Sequence, residues 1–553
     1  MPDRQRTVIT TDPELDDLNS MLRLLLHSNE IDLEALVVTS SRFHWAGDAD
    51  LEGHRWPPAG AKLHIEQALD AYDAAYPNLV AHDAAYPAPA ALRAIHAIGN
   101  IRSLGDTSEP TEGSRLVERA ILSDDPRILF LQHWGGFNTT ARALMSIEER
   151  FAGDVDWPER KAAITAKLVL SSFAEQDETY ADYIRPNWPG LEFREVMTAG
   201  WGYFARNVVD EEGAGFLTAE WMREHVSSVG PVGAAYRVWG DGLQMAPGDT
   251  EDYFGERDVT KEELEARGFW VWAPLQEAGA WISEGDTSNL TPLIPNGLRS
   301  HEHATFGGWG GRLRPSATEP GRYEQADAPE RRADGTAHDG WSVGRWLPDF
   351  QRELAGRLRW TVAPSFSEAN HPPVVEPVGA TDLVVEAGAS VDLAVSASDP
   401  DGDVLAAEWW QYREAGTLDG SVAIAADGIP AGSGGGADVA VGADAAAGAD
   451  VAAGGGAAAR PGAAAGADVA ARPGAAAGPG AGAGAGAGAG TGAATEGAAA
   501  ADTGAADEPR VLRASVTVPA DAPSGATAHV VVTVRDGGEP SFARYARFVL
   551  TVA

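Results

Sequence analysis

The sequence predicts an α/β domain, a mostly parallel sheet with flanking helices, followed by an all-β immunoglobulin-like sandwich. Three observations carry that expectation. From Arg6 to about Phe366, short β-rich runs alternate with amphipathic helical stretches, the pattern of parallel strands joined by crossover helices. From Pro372 the helical period gives way to short runs of alternating apolar and polar residues between turn clusters. Inside that second region, at about 425–509, lies a stretch made almost entirely of Ala and Gly with scattered Asp and Pro.

In the first region, Thr7–Thr11, Ala35–Thr39, Arg127–Gln132 and Lys167–Ser171 read as buried strands, with Leu15–His27 and Asn138–Arg150 as helices. Ligands of such sheets bind at the carboxyl ends of the strands, so the chemistry is sought there. His371-Pro-Pro373 marks the linker, dividing the chain into 1–366 and 372–553. Beyond it, Asp382–Glu386, Val391–Ser396, Val404–Tyr412, Val511–Val518, Ala528–Arg535 and Arg544–Val552 read as sandwich strands. The Ala/Gly stretch has too little side-chain surface to offset its ordering entropy and reads as a disordered insertion inside the sandwich. Its GxGxxG-like spacings have no strand before them and no helix after, so they carry no nucleotide signal.

The chain has 553 residues, 44% of them hydrophobic, enough for a real core. At roughly 100–200 residues per domain that length suggests two to four domains. The absence of cysteine excludes disulfides, thiolate metal sites and Cys nucleophiles. With 81 acidic against 42 basic residues the formal charge is -39. Such a surface repels phosphate backbones and anionic lipid, which argues against nucleic acid and membranes as partners, and it draws in divalent cations. Most of these charges read as solvated surface. The start, Met1-Pro-Asp-Arg-Gln-Arg, runs straight into a strand, without the ~7–15-residue apolar segment of a signal peptide. No apolar stretch approaches the ~20 residues that span a bilayer. As written the chain reads as soluble and cytoplasmic; secretion stays open through a misassigned start. Nothing indicates the oligomeric state.

The most informative stretch is Val8-Ile-Thr-Thr-Asp-Pro-Glu-Leu-Asp-Asp-Leu-Asn19. A strand ends at Asp12, Pro13 blocks further pairing, and a helix opens with Asp16 and Asp17 in its first turn. Asp12 and Asp17 then face one point beyond the strand end, where hard oxygen ligands suit Ca²⁺ or Mg²⁺. Acidic residues in a first turn also stabilise the helix dipole, by about 0.3–1 kcal/mol. Capping explains Asp16 or Asp17 but leaves Asp12 without a role.

Asp12-Pro-Glu-Leu-Asp-Asp17 resembles the D-P-G-x-D-D signature of nucleoside hydrolases. More closely, the chain resembles the nucleoside-hydrolase-like branch known as cellulose-binding proteins, which ends in an immunoglobulin-like domain. The resemblance covers both ordered regions. It implies that Asp12 binds Ca²⁺ and acts as general base toward a water held by the metal. Asp17 is then a second calcium ligand, and Asp16 holds a sugar hydroxyl. Ile128-Leu-Phe-Leu-Gln-His-Trp-Gly-Gly-Phe-Asn138 is similar to the segment whose backbone carbonyl coordinates calcium, at Trp134, while read alone it is a strand–turn–helix with Asn138 as N-cap. Trp281-Ile-Ser-Glu-Gly-Asp-Thr-Ser288 resembles the segment supplying the last acidic ligand, Asp286. Ile294-Pro-Asn-Gly-Leu298 and Gly307-Gly-Trp-Gly-Gly-Arg312 resemble the cellulose-binding branch. Gln176 and Asp177 match positions where the family places sugar-binding polar groups.

The pattern departs from the family at Thr10, Glu14 and Gly285. These stand where the signature has an acid, a Gly and the His linked to leaving-group handling, which puts true nucleoside substrates in doubt. Glu284 and His133 are nearby candidates for the missing acid, by sequence proximity alone. His301-Glu-His303 lacks a third zinc ligand and reads as a polar loop. Asp399-Pro-Asp-Gly-Asp403 is an acidic turn that some β-sandwich modules use for calcium, and a plain Asp/Gly turn is the simpler reading. Of Trp409 and Trp410, alternation buries one and exposes the other or sets it against the first domain. The leading functional expectation is a calcium-dependent hydrolase of N- or O-glycosidic bonds acting on a small sugar-containing ligand or a polysaccharide. The alternative is a non-catalytic carbohydrate-binding protein on the same scaffold, and a third reading treats the sandwich as a structural or docking module.

Overall fold

The computed structural model describes residues 4–196, 200–325, 330–332, 335–338, 340–426 and 509–553. The Ala/Gly-rich stretch, apart from its edge residues, lies outside them. The first region builds strands β1 (Gln5–Thr11), β2 (Ile31–Val38), β3 (His96–Ile98), β4 (Leu129–His133), β5 (Leu168–Ser172), β6 (Glu192–Glu195), β7 (Leu313–Pro315) and β8 (Arg322–Gln325). They form one sheet in the order β3-β2-β1-β4-β5-β6-β8-β7, parallel throughout except for the antiparallel β7–β8 pair at one edge. A two-residue ladder, β9 (Glu330–Arg331) with β10 (Ala337–His338), stands apart.

Both faces of the sheet are covered, so the central strands β1, β4 and β5 are buried almost without interruption rather than at alternate residues. On one face α1 (Leu15–Leu26) packs against α2 (His64–His82), with Leu18, Met21, Leu22 and Leu25 meeting Ile65, Leu69 and Tyr72. On the other, α3 (Glu112–Ile121) and α4 (Asn138–Phe151) bury Val117, Ile121, Ala141 and Leu144 over Val8, Val37 and Leu131. From β1 the chain turns to β2 on one side, while β4 leads on to β5 on the other. The carboxyl ends of β1 and β4 therefore flank the point where the strand order reverses, the crevice that open α/β sheets use for ligands.

The expected N-cap at Asn138 is not the one observed. Asn138 opens α4, and its side chain accepts from Thr39 Oγ1 (2.7 Å) and donates to Asn100 O (2.7 Å). The cap comes from another loop: Asp177 Oδ2 accepts the Asn138 N–H at 2.7 Å. An Asn side chain pulled sideways by two buried partners is unavailable to its own helix, so a tertiary contact takes the place of a local one.

The sandwich consists of β11 (Val374–Pro377), β12 (Asp382–Val385), β13 (Ser390–Ser398), β14 (Ala406–Tyr412), β15 (Ala423–Ala426), β16 (Arg510–Thr517), β17 (Thr527–Arg535) and β18 (Ala543–Val552). One sheet runs β11-β13-β16-β15 and the other β12-β18-β17-β14, with antiparallel pairing except between β12 and β18. The sandwich core, including Leu393, Val395, Val516, Val530, Val532 and Phe548, lies between them. Trp409 stacks over Phe548 on this core, whereas Trp410 packs toward Trp346 of the first region, as alternation against a neighbouring domain requires.

A single apolar cluster continues from the α/β layers into the sandwich through Tyr412, Val531, Phe542 and Tyr545. Helix α5 (Leu347–Trp360) forms the seam: Tyr545 Oη donates to Asp349 (2.5 Å), and Arg544 Nη1 pairs with buried Glu353 (2.8 Å). Across from it, the Tyr545 N–H donates to Asn296 O at 2.8 Å. Gly297 sits there with φ +94°, and a Cβ on it would lie 1.7 Å from the Tyr545 carbonyl oxygen. Among the described residues no helix is long and apolar enough to cross a membrane.

Gly297→Ala is expected to destabilise the protein by at least ~2 kcal/mol, because the side chain is excluded both by the backbone angle and by the β18 carbonyl. Urea unfolding checks this as a lower midpoint at unchanged slope.

Candidate functional site

Strand β1 delivers Asp12 to the switch point, and the turn that follows is closed by Glu14 N donating to Asp12 O at 2.8 Å. Pro13 ends the ladder, and α1 begins at once, so Asp12, Glu14, Asp16 and Asp17 are set around one short turn. Asp12 and Asp17 are each 1% exposed, Asp286 4% and Asp16 9%. Glu14, Asp16 and Asp17 each place a carboxylate oxygen within 4.8 Å of the others, and oxygens of Asp12 and Glu14 lie as close to each other and to a His44 ring nitrogen. Asp286 comes from a distant segment whose position α1 fixes. Asn19 donates to Ser283 O (3.0 Å) and Arg237 O (3.1 Å), and Arg23 forms a buried two-pronged pair with Glu284 (2.5 and 2.8 Å). So held, the Asp286 carboxyl lies against that of Asp17.

Burial and mutual repulsion raise four of these carboxyl groups, Glu14, Asp16, Asp17 and Asp286, above the ordinary range. Burial, then repulsion from Asp286 and Asp12, pushes Asp17 well above the ordinary range. Burial with repulsion from Asp16 and Asp12 does the same to Asp286 and to Glu14. Asp16 is pushed up to about 6 by burial and the Asp12 charge. Arg55 opposes the effect at Glu14, and His44 at Asp16. Apart from the His44 nitrogen the donors are hard oxygens with a large excess of negative charge, which fits a divalent cation of the Ca²⁺ or Mg²⁺ class.

Asp12 itself is tightly oriented. Its Oδ2 accepts from Ser41 Oγ at 2.6 Å and meets His44 Nδ1 at 2.7 Å. A carboxylate offers only acceptors, so His44 Nδ1 carries the hydrogen in that bond. On its other side Asp12 packs on Gly135, where a Cβ would come within 2.9 Å of Oδ1. The next residue, Gly136, is constrained as well, since a Cβ there would lie 2.3 Å from Asp177 Oδ2.

The other expected site residues fall into two groups. Trp134 is at the site: its N–H donates to Thr10 O (2.8 Å), and its carbonyl accepts from Gln176 Nε2 (2.9 Å), leaving one lone pair. Gln176 and Asp177 are brought close but serve the protein. Gln176 holds the Trp134 carbonyl, and Asp177 caps α4 while its Oδ1 accepts from Thr179 N and Oγ1 (3.1 and 2.8 Å). Neither suggested acid faces the carboxylates. Glu284 is fully buried and neutralised by Arg23. His133 lies between Ser171 O and Thr140 Oγ1, and burial pushes it down to about 3. His301 and His303 join no metal-ligating group among the described residues.

Sequence reasoning missed Ser41, His44, Arg55 and Tyr203, and it treated Glu14 only as a departure. Ser41 and His44 follow β2, so the rule that pointed to the end of β1 applied equally to the end of β2. Glu14 was in plain view two residues from Asp12. Arg55 and Tyr203 come from irregular loops with no local signal. Tyr203 Oη reaches Glu14 at 3.4 Å, and Arg55 pairs with Asp249 (2.8 Å) and Glu251 (3.3 Å). A cavity of only about 10 Å³ lies here, lined by Glu14, His44, Arg55, Tyr203, Asp252 and Trp272. Arg55 and Asp249 also line an open groove of about 460 Å³ that includes His54 and Trp56. A larger cavity, about 800 Å³, lies between Ile294–Gly297 and the sandwich and holds none of the site carboxylates.

The family model described as "Cellulose-binding Sde182, nucleoside hydrolase-like domain" matches residues 6–313, more than half of the chain. The chain belongs to this family. The C-terminal domain of "Cellulose-binding protein Sde0182" matches 390–445 and 495–552, so both regions of the chain carry the Sde182 pattern. A solved structure of a nucleoside hydrolase-related hypothetical protein from Saccharophagus degradans, associated with carbohydrate metabolism, is similar over 100% of both chains. Its TM-score is 0.61 and its identity 23%, a likeness of fold. No curated protein matches the chain. The Sde182 assignment agrees with the sheet and the appended sandwich.

The sign of the carboxylate shifts makes a prediction for metal-free protein. A carboxyl raised in the folded state contributes stability below its unfolded pKa that is lost as pH rises through the folded value. For Asp16 that window runs from about 4 to about 6. In chelator, Asp16→Asn should therefore gain stability relative to wild type between pH 4 and 7, by on the order of 2–3 kcal/mol. Added Ca²⁺ should stabilise wild type more at pH 7.5 than at pH 5. Denaturant unfolding at the two pH values checks both.

Proposed function

We propose that this protein is a calcium-dependent hydrolase of glycosyl bonds in a carbohydrate ligand, with Asp12 as the general base. The observation that carries the reading is the convergence of Asp12, Glu14, Asp16, Asp17 and Asp286 at the switch point, with Asp12 held by Ser41 and His44. A structural cap needs one carboxylate in this turn and none at the strand end. Asp12, Asp17, Asp286 and the Trp134 carbonyl would hold the calcium. When bound, the ion would supply positive charge that lowers the pKa of a coordinated water and fixes its approach.

The remaining work falls to the chain. The bonds from Ser41 and His44 fix the plane of the Asp12 carboxylate, so one oxygen is anchored while the group takes a proton from water. Asp16, tethered by Ser283 Oγ at 3.2 Å, is placed to accept from a sugar hydroxyl. Positive charge developing on the sugar ring as the glycosyl bond breaks is stabilised by the surplus of fixed carboxylates. Tyr203, raised well above its ordinary pKa by burial and by Asp16 and Glu14, keeps its proton and can donate to a ligand oxygen. Gln176 and Asp177 stand behind the site as supports of the Trp134 carbonyl and of α4.

One observation favours the second reading, carbohydrate binding without turnover. The cavity at the carboxylates, about 10 Å³, is too small for a sugar ring, whereas the adjoining open groove of about 460 Å³ is roomier and includes Trp56 in its lining. The names of the family and of the structural neighbour point to polysaccharide or carbohydrate under either reading.

Turnover should be measured on aryl glycosides, nucleosides and cello-oligosaccharides, with Ca²⁺ and with chelator, for wild type and Asp12→Asn. Calcium-dependent turnover that falls by about 10²–10⁴ in the variant supports the hydrolase. Saccharide binding without turnover on any of them transfers the conclusion to the binding reading.

A further inference from the structure

The last residue of β1, Thr11, joins the carboxylate centre to the start of α2. Its side chain is fully buried. The Thr11 hydroxyl donates to Asp17 Oδ1, in the first turn of α1. On its other side the same oxygen lies 2.9 Å from Nε2 of His64, the first residue of α2. His64 is fully buried as well, and its Nδ1 has no partner among the described residues. Asp17, Thr11 and His64 therefore form a chain of two hydrogen bonds that runs from the site into the interior between the two helices.

Counting hydrogens fixes the direction of this chain. A hydroxyl has one hydrogen and an ionised carboxylate only accepts, so the Thr11 hydrogen is committed to Asp17. The contact between Thr11 and His64 then takes its hydrogen from the ring. A neutral imidazole has one to give, and on Nδ1 it would meet no acceptor, so it sits on Nε2. His64 is neutral: burial pushes it down to about 3, outweighing the Asp12 charge that favours its protonation. Its place at the N-terminus of α2, where positive charge is disfavoured, acts in the same direction.

Each aspartate of the turn between β1 and α1 has a hydroxyl of its own. Ser41 donates to Asp12 (2.6 Å), Ser283 to Asp16 (3.2 Å) and Thr11 to Asp17. A donor on one oxygen fixes the plane of a carboxylate and leaves the other oxygen free for a ligand. At Asp17 the anchor is itself anchored, because the Thr11 side chain can rotate only by giving up the bond from His64. A buried strand hydroxyl needs a partner in any protein, but that need alone gives it no influence on a cation.

We propose that Thr11 and His64 are positioning residues of the cation site: His64 donates to Thr11, and Thr11 holds Asp17 Oδ1 so that the carboxylate meets the ion already oriented. The inference rests on the reading of the Asp12 centre as a calcium site, and adds to it two residues that do not touch the ion. Losing a hydrogen-bond partner of a metal ligand typically weakens metal affinity by ~10–100-fold. Thr11, in direct contact with the ligand, carries the larger share of that effect and His64 the smaller.

The test is calcium affinity by titration calorimetry on the full chain, following the equivalent that Asp17→Asn removes. Thr11→Val keeps the β-branched shape and loses the hydroxyl, whereas Thr11→Ser keeps the hydroxyl. The valine chain is expected to bind ~10–100-fold more weakly than wild type, and the serine chain within about threefold of it. His64→Leu removes the donor behind Thr11 and should weaken binding by about three- to tenfold, while His64→Gln, whose amide can donate in its place, should weaken it less. Urea midpoints in chelator show which chains are folded, and the His64 pair carries the comparison if Thr11→Val is not. A serine chain as weak as the valine chain, or valine and leucine chains that bind like wild type, overturns the proposal. A wild type that binds no calcium, or an Asp17→Asn chain that binds as much as wild type, overturns the cation reading and this inference with it.

Discussion

Everything at the switch point follows from one electrostatic constraint. A buried group of carboxylates is unstable unless protons or a cation offset its charge. Asp12, Glu14, Asp16, Asp17 and Asp286 are all placed by main-chain geometry that leaves them little room to separate. Pro13 ends β1 and α1 starts within three residues, which crowds four of the five into one turn. The fifth arrives because Asn19 and Arg23, facing the interior from α1, grip the segment at Ser283 and Glu284. Arg23–Glu284 is an ion pair that settles its own charge. The Asp12 group has His44 and Arg55 beside it but a larger surplus of negative charge, which is what the proposed cation would offset.

The same constraint shapes the surroundings. Gly135 and Gly136 allow the backbone after β4 to press against Asp12 and Asp177 with no Cβ in the way. Asp177 and Gln176, which match sugar-binding positions by resemblance, hold α4 and the Trp134 carbonyl in register with β1. The Gln176 bond fixes the direction of the Trp134 carbonyl, as outer hydrogen bonds orient metal ligands, and would do so for the proposed cation.

The sequence made the alternation of strands and helices legible because strands buried on both faces carry short apolar runs, Val8-Ile9, Ala35–Val38, Leu129–Leu131 and Leu168–Leu170, between amphipathic helices, and the ends of β1, β2, β4 and β5 fall within a few residues of expectation. That Asp12, Asp17 and Asp286 come together was legible through the family resemblance, the first two from the signature and Asp286 from the Trp281–Ser288 segment. Glu14 was misread because a departure from a signature draws attention to what is missing, here a Gly, rather than to the carboxylate gained. Ser41, His44, Arg55 and Tyr203 were illegible for a physical reason: irregular loops brought to the site by long-range packing leave no periodic trace. The N-cap of α4 failed for the same reason, since Asp177 is 39 residues from Asn138 in the chain. In the sandwich, the alternation that separates Trp409 from Trp410 was sound, but only the seam at Trp346 shows where the outward-facing ring goes.

The account turns on a cation among the switch-point carboxylates, and an anomalous-difference map from crystals grown with calcium and soaked in a lanthanide tests it most directly. A peak bounded by Asp12, Asp17, Asp286 and the Trp134 carbonyl is predicted. A map without density there, from crystals in which the ion is seen bound elsewhere, would contradict it.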